Sequence, residues 1–219
     1  MYRAVIDPAP DHTAFALLED DELICLENRP MRGRDAAELP VFLLETLSKQ
    51  GVAPGAVKRW TVGSGPGSFT GLRIVAALTA AWSLSKDDVL TRSVPGAVAL
   101  AGMLHPAPGE RVGAVYDGRN HEILYFGVEG CAGNDARPAG ETAILDKNQA
   151  ADFFSKRSCE RLAAFACEEE AVRAILPGDA HLECFAFSDT VLLDRTAFQP
   201  FDNDLTKLVY IRPAVYTSN

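Results

Sequence analysis

The residues best suited to chemistry form one stretch, Gly63-Ser64-Gly65-Pro66-Gly67-Ser68-Phe69-Thr70-Gly71. It lies between a strand-like run, Val57 to Val62, and a long apolar run, Leu72 to Leu84, whose only charge is Arg73. Glycine lacks the Cβ that penalises positive φ, so successive N–H groups in such a loop can turn into one concavity. At the start of a helix those groups also meet the positive end of the macrodipole, and Ser68 or Thr70 is placed to cap it. The chemistry this permits is anion binding, with Gly65, Gly67, Ser68, Gly71 and Arg73 as the candidate nucleotide or anion loop. Arg73 stands one turn into the helix, where it can reach a phosphate or carboxylate or pair with a nearby Glu. The competing reading is a tight turn that lets a helix pack closely on a sheet. Familiar phosphate loops do not fit: a P-loop needs a lysine that is missing, a dinucleotide fingerprint needs Gly at Thr70, and a Gly-x-Ser-x-Gly elbow fits no register.

Other reactive groupings are weaker. Ser68, His121 and Asp117 could be assembled into a hydrolytic triad, but nothing in the sequence brings a base to a nucleophile. His12, His105, His121 and His181 are too far apart for two to share a helical turn, so no metal site is expected. The five cysteines are odd in number and never spaced Cys-x-x-Cys, which suits reduced thiols. Asp7 closes an opening apolar strand and could hold magnesium through water or simply form a turn. No residue is assigned a catalytic role.

The elements that position the loop can be read from patterning. Tyr2 to Asp7, Thr13 to Glu19 and Glu22 to Glu27 predict three antiparallel strands. A helix over 35–50 with Asp35 as N-cap, the strand 57–62, the helix after the loop, a strand over 89–94 and a helix over 96–104 give the order βββαβαβα. His105-Pro106-Ala107-Pro108-Gly109 then ends a first lobe. A hairpin of 111–117 and 122–128 opens a second lobe, followed by a loop over 131–140, a helix over 146–156, a strand over 161–166, a helix over 168–176 and a strand over 182–187. The expected class is α/β, a two-lobed ribonuclease-H-like arrangement with a reduced second lobe. The lobes span 1–109 and 110–199, with 200–219 available to complete the first.

The two long helices are apolar over a wide arc. In 35–50, Leu39, Phe42, Leu43 and Leu47 share one face, with Val41 and Leu44 turned well away; the helix from Phe69 to Ser85 carries small Ala76, Ala77, Ala80 and Ala81. Either the helices cover each other and the sheet, or the excess marks a partner site.

Thirty acidic against 21 basic residues give a net charge of −9, which disfavours a phosphate backbone, so RNA would be held by something else. No apolar run reaches the roughly 18 residues of a bilayer helix, and the acid at position 7 interrupts any signal-peptide core; no membrane contact and a cytoplasmic location are expected.

Gly65-Pro66-Gly67-Ser68-Phe69-Thr70-Gly71-Leu72-Arg73-Ile74 resembles the signature segment of the TsaB (YeaZ) family, glycoprotease-like proteins of tRNA threonylcarbamoyladenosine synthesis. Fainter echoes in the same order are the strand ending in Asp7, Asp117-Gly118-Arg119 with Glu122, and Tyr210-Ile211-Arg212. The resemblance implies an actin-like (ASKHA) fold and a non-catalytic subunit that binds and activates the paralogue TsaD. TsaD would transfer the threonylcarbamoyl group to the adenosine beside the tRNA anticodon. It also implies an interface on the two helices, with Leu39, Phe42, Leu43, Leu47, Leu72, Val75, Ala76 and Thr79 as its residues, shared by TsaD or by a second copy in a homodimer. TsaE would join through the complex and tRNA only indirectly. No cofactor of its own is implied, with ATP or ADP at the partner interface as the candidate. The chain departs from the family at Pro8 and Pro10, where phosphate-binding N–H groups would lie, and at Arg34, where the family has His. The alternative is a stand-alone peptidase or nucleotide-dependent enzyme of the same fold.

Overall fold

Continuous apolar runs make central strands here, and alternating ones make edges. The computed structural model describes residues 1–8, 12–20, 22–31, 33–66, 69–84, 86–157, 160–186 and 200–210, with the side chains at 33, 34, 69 and 134 set aside. β1 (Tyr2–Pro8), β2 (His12–Glu19) and β3 (Glu22–Pro30) form the expected antiparallel meander, and β4 (Val57–Gly63) and β5 (Leu90–Val94) add in parallel on the far side of β1. The strand order is β3-β2-β1-β4-β5. Parallel neighbours require crossovers; α1 (Leu39–Lys49) and α2 (Phe69–Ser83) supply them.

The second sheet joins β6 (Arg111–Arg119), β7 (Glu122–Gly130), β8 (Ala136–Asp146), β9 (Arg161–Phe165) and β10 (His181–Phe185) in the order β10-β9-β6-β7-β8. Read from the other edge this is the same topology: a meander of three, then two parallel strands beyond its first. Reduction of this lobe therefore lies in its helices, α4 (Lys147–Ser155) and α5 (Glu169–Arg173), and not in its sheet.

Three expectations need correction. Residues 131–140 are not all loop, because β8 begins at Ala136. Asp35 is not the N-cap of α1: residues Gly33–Glu38 form a 3-10 segment, and α1 starts at Leu39 with Glu38 in the cap position making no side-chain capping bond. Pro40 explains this, since it has no N–H for an interior helical bond but fits the first turn. Thr70 lies inside α2 and so is not its cap, while Ser68 is outside the described residues.

The chain resolves into two compact units that divide after Gly96, the segment 200–210 belonging with the first. Asn203 and Thr91 exchange hydrogen bonds of 2.7 and 3.0 Å, and Phe201 lies against the guanidinium groups of Arg59 and Arg92 at 5.0 and 4.5 Å. α3 (Gly96–Gly102) and the Pro-rich stretch after it go with the second unit, where Arg161 Nη1 donates to Leu104 O at 2.9 Å and Gly109 N to Gly130 O at 2.9 Å. Among the described residues no helix is long and apolar enough to cross a membrane.

Candidate functional site

The glycine junction is built by strand ends. Ser64 N donates to Val94 O at 2.8 Å, Gly96 N to Gly65 O at 2.8 Å, and Val209 N to Ser64 O at 2.7 Å, so the ends of β4 and β5, Gly96 and the 200–210 segment meet at one point. Gly65 has φ 105°, a conformation that excludes other residues, and the Gly65-Pro66 peptide is cis. Gly67 and Ser68 of the candidate loop lie outside the described residues; Gly71 is buried in the first turns of α2. Ser64 Oγ, outside the candidate anion set, is buried without a hydrogen-bond partner among the described residues.

Asp7 closes the junction from below. It is 3 % exposed, and a Cβ built on Gly63 would meet its Oδ1 at 2.2 Å, one on Gly96 its Oδ2 at 3.1 Å. Gly63 is thus needed to admit the carboxylate, and a side chain at Gly96 would crowd it. Burial pushes the Asp7 carboxyl up to about 7, because desolvation disfavours the charged form. The signal for this cluster was legible as glycine after each of two parallel strands, yet Gly96 passed unnoticed. Pro8 is a ladder residue opposite Thr13, and Pro10 lies outside the described residues, as does the Arg34 side chain.

Arg73 is exposed on α2, with its guanidinium carbon 5.9 Å from the centre of the Tyr210 ring. It therefore lies beside the 200–210 segment and makes a cation–π contact that neither reading of the sequence foresaw.

The predicted interface residues are placed differently. Leu39, Phe42, Leu43 and Leu47 of α1 and Leu72, Val75 and Thr79 of α2 are all buried, from 0 % to 6 % exposed, and Ala76 is half-buried. Leu39, Phe42, Leu43, Leu47 and Val75 share a core with Ala4, Ile6, Phe15, Leu17, Trp60 and Val62, and Ala76 packs against it. A stripe that packs on a sheet is not available to a partner. What α1 and α2 leave outside is the opposite face: Val41 at 55 %, Leu44 at 45 % and, just past α2, Leu84 at 73 % exposed, with Ala77, Ala80 and Ala81 also exposed. The two helices pack on each other, so these residues belong to one helical layer.

In the second unit the echo of the signature is a strained hairpin. Arg119, Asn120 and His121 have φ of 61°, 52° and 62°, and a Cβ on Gly118 would meet Glu122 O at 2.9 Å. The Asp117 carboxylate accepts from Arg119 N at 2.8 Å, and its own N–H donates to Glu168 Oε2 at 3.0 Å. These bonds hold the turn. Of the other singled-out groups, Ile211 and Arg212 lie outside the described residues. Cys25, Cys131, Cys167 and Cys184 are free thiols, and among the described residues no group of His, Cys, Asp or Glu is arranged to hold a metal ion.

Similarity to known proteins agrees with this geometry. The family model described as TsaD, tRNA N6-adenosine threonylcarbamoyltransferase, matches residues 35–173, more than half of the chain. No curated protein matches the chain by sequence. Among solved structures, YeaZ from Pseudomonas aeruginosa is similar with a TM-score of 0.64 and 21% identity, over 90% of this chain and 91% of that one. A second, described as an uncharacterised protein with similarity to peptidase YeaZ from Pseudomonas aeruginosa, has a TM-score of 0.63 and 20% identity over 96% of this chain and 99% of that one. With two sheets of one topology and the glycine signature at the β4–α2 junction, the fold is the two-lobed actin-like one that YeaZ shares, and the chain belongs to the TsaD family of the matching model.

Proposed function

We propose that this chain is a non-catalytic TsaB-type subunit that binds and activates a TsaD-type transferase, which delivers the threonylcarbamoyl group to the tRNA adenosine beside the anticodon. The observation that carries this reading is the outer face of α1 and α2, where Val41 and Leu44, the small Ala77, Ala80 and Ala81 and, just past α2, Leu84 stand exposed. Exposed large apolar side chains clustered on one helical layer favour a protein partner, and small residues let a partner helix approach closely. The net charge of −9 favours contact with tRNA only through the partner. A TsaE-type ATPase joins through the complex, ATP or ADP sits at the partner interface, and the site of action is cytoplasmic.

The test is size-exclusion chromatography and calorimetric titration of the chain with TsaD. A stable complex with the wild type, lost in Leu44→Glu while the melting temperature stays within a few degrees, supports the reading. Separate elution of the two proteins at micromolar concentration, or full binding by Leu44→Glu, overturns it. Leu43→Glu cannot serve this test, because Leu43 is 0 % exposed and its loss would unfold the lobe.

A further inference from the structure

We infer that the second unit holds a binding site for a small aliphatic ammonium ion, in the cavity where α4, β9 and the turn before β10 meet, with Glu160 as the carboxylate that receives it. The cavity measures about 220 Å³. That is far more than the roughly 15 Å³ one water needs and below the roughly 300 Å³ at which pockets for drug-sized ligands begin, so its occupant is small. Phe154, Leu162 and Ala180 are among its apolar walls.

The strands are shaped to bring a hydroxyl to that carboxylate. A Cβ on Gly113 would meet Tyr125 Cε2 at 2.5 Å, and one on Gly127 would meet the Tyr125 hydroxyl at 3.3 Å. Gly113 and Gly127 are directly opposed in the β6–β7 ladder, so the ring lies across a pair of residues without side chains. The Tyr125 hydroxyl then donates to Glu160 Oε1 at 2.6 Å, while Glu160 Oε2 is buried with no hydrogen-bond partner among the described residues. Buried polar atoms are normally satisfied, so this oxygen calls for a further donor. The last torsion of a Glu side chain is soft, and a turn about it presents Oε2 to the cavity that Glu160 lines.

Charge decides what kind of donor it is. Arg157 also lines the cavity but is already engaged: its Nη1 donates to Phe153 O at 2.9 Å, its Nη2 pairs with Glu141, and its guanidinium lies on the Phe153 ring at 3.7 Å. Glu141 also accepts from Arg111 at 3.2 Å. With Glu160 and the exposed Asp179 of the cavity, three carboxylates stand against two guanidinium groups, and one added cation balances them. His181, counted as neutral at pH 7, leaves that balance unchanged. A metal ion would need several converging ligands, and among the described residues no such group is assembled. A short alkyl chain against Phe154, Leu162 and Ala180, with its ammonium on Glu160, meets both the apolar and the charged demand. The site lies within the second unit and stands independently of the TsaD reading.

Titration of the isotope-labelled full chain with n-butylammonium chloride, followed by backbone amide NMR shifts, tests it. The shifts should saturate at roughly millimolar concentration, the range open to a ligand of so few atoms, and should concentrate at residues 151–157, 160–162 and 177–182. n-Butanol, similar in shape but uncharged, should bind about tenfold more weakly or worse, and sodium chloride at matched concentration should not reproduce the pattern. Glu160→Gln should weaken n-butylammonium binding by about tenfold or more. Ala151→Phe is a second arm that leaves the carboxylate in place: Ala151 is an exposed lining residue, so a ring there takes up cavity space from the surface side and should abolish binding. No saturable shift, equal binding of n-butanol, or undiminished binding by Glu160→Gln or Ala151→Phe would each overturn the inference.

Discussion

The two sheets share one strand order yet use the ends of their first strands in opposite ways. In the first unit β1 ends at Asp7, a buried carboxylate held between Gly63 and Gly96. In the second, β6 carries Asp117 at the corresponding place, half-buried, with its carboxylate spent on Arg119 N inside its own hairpin. The helices differ likewise. α1 and α2, of 11 and 15 residues, bury one face and present another. α4 and α5, of 9 and 5 residues, contribute Ala150, Phe154 and Val172 to a core with Tyr125 and Leu162. Strand pairing thus fixes the frame in both units, while length and composition of the crossovers decide which unit presents exposed apolar helix surface.

The largest effect expected from breaking this comparison is Leu43→Glu. An ionised side chain placed where exposure is 0 % should cost more than about 4 kcal/mol and unfold the first sheet. Hydrogen exchange read strand by strand should then show β1 to β5 deprotected and β6, β7 and β9 still protected. Simultaneous loss in both sheets would mean that the units do not hold separate cores.

Next comes the contrast between Asp7 and Asp117. Between the ordinary carboxylate range and about 7, folded Asp7 keeps a proton that the unfolded chain has released. Raising pH through that window therefore destabilises the fold, by at most roughly 4 kcal/mol at about 1.4 per unit. Asp7→Asn should flatten this pH dependence and raise stability at pH 8, as read by denaturant titration from about pH 5 to 9. Asp117→Asn keeps an oxygen that can accept from Arg119 N, so at a fixed pH it should change stability little. A wild type equally stable across the window would sink the contrast.

Tyr125→Phe tests the second core. The Tyr125 hydroxyl donates to Glu160 Oε1 at 2.6 Å, and Glu160 Oε2 is already buried without a partner. Burial is the chief cause that holds both groups above their ordinary values. Removing the donor should cost about 1 to 3 kcal/mol in thermal or chemical unfolding. No change would show that water already serves that carboxylate. The smallest effect on stability belongs to Leu44→Glu, within about 0.5 kcal/mol, although its expected effect on TsaD binding is complete.

Much of the frame was legible because its signals are local. The meander 2–30, the parallel strands 57–63 and 90–94 and the hairpin at 118–121 follow from period and turn residues. β8 was missed because Pro138 and Gly140, the latter at φ 79°, read as loop. As the outermost strand of its sheet, β8 tolerates both. The repeated topology left no repeat in sequence, since pairing order depends on hydrogen bonds that many sequences can make. Periodicity also showed which residues of α1 share a face without showing where the face points. The richest stripe went to the core, and Val41 and Leu44, read as turned away from it, became the outward surface. In the glycine stretch the sequence showed the junction but not Asp7 beneath it, because the contact joins residues far apart in the chain.

That contact has a consequence for which sequences this fold can accept. With Asp7 Oδ1 only 2.2 Å from where a Cβ on Gly63 would sit, positions 7 and 63 are not free to vary singly, and Gly96, whose Cβ would lie 3.1 Å from Oδ2, is tied to them more loosely. A side chain at 63 has room only after the one at 7 has become smaller. In a saturation library, alanine at 63 should be depleted in the parental background and recovered beside Asp7→Gly or Asp7→Ala. The junction would then be inherited as one epistatic unit drawn from three separate elements.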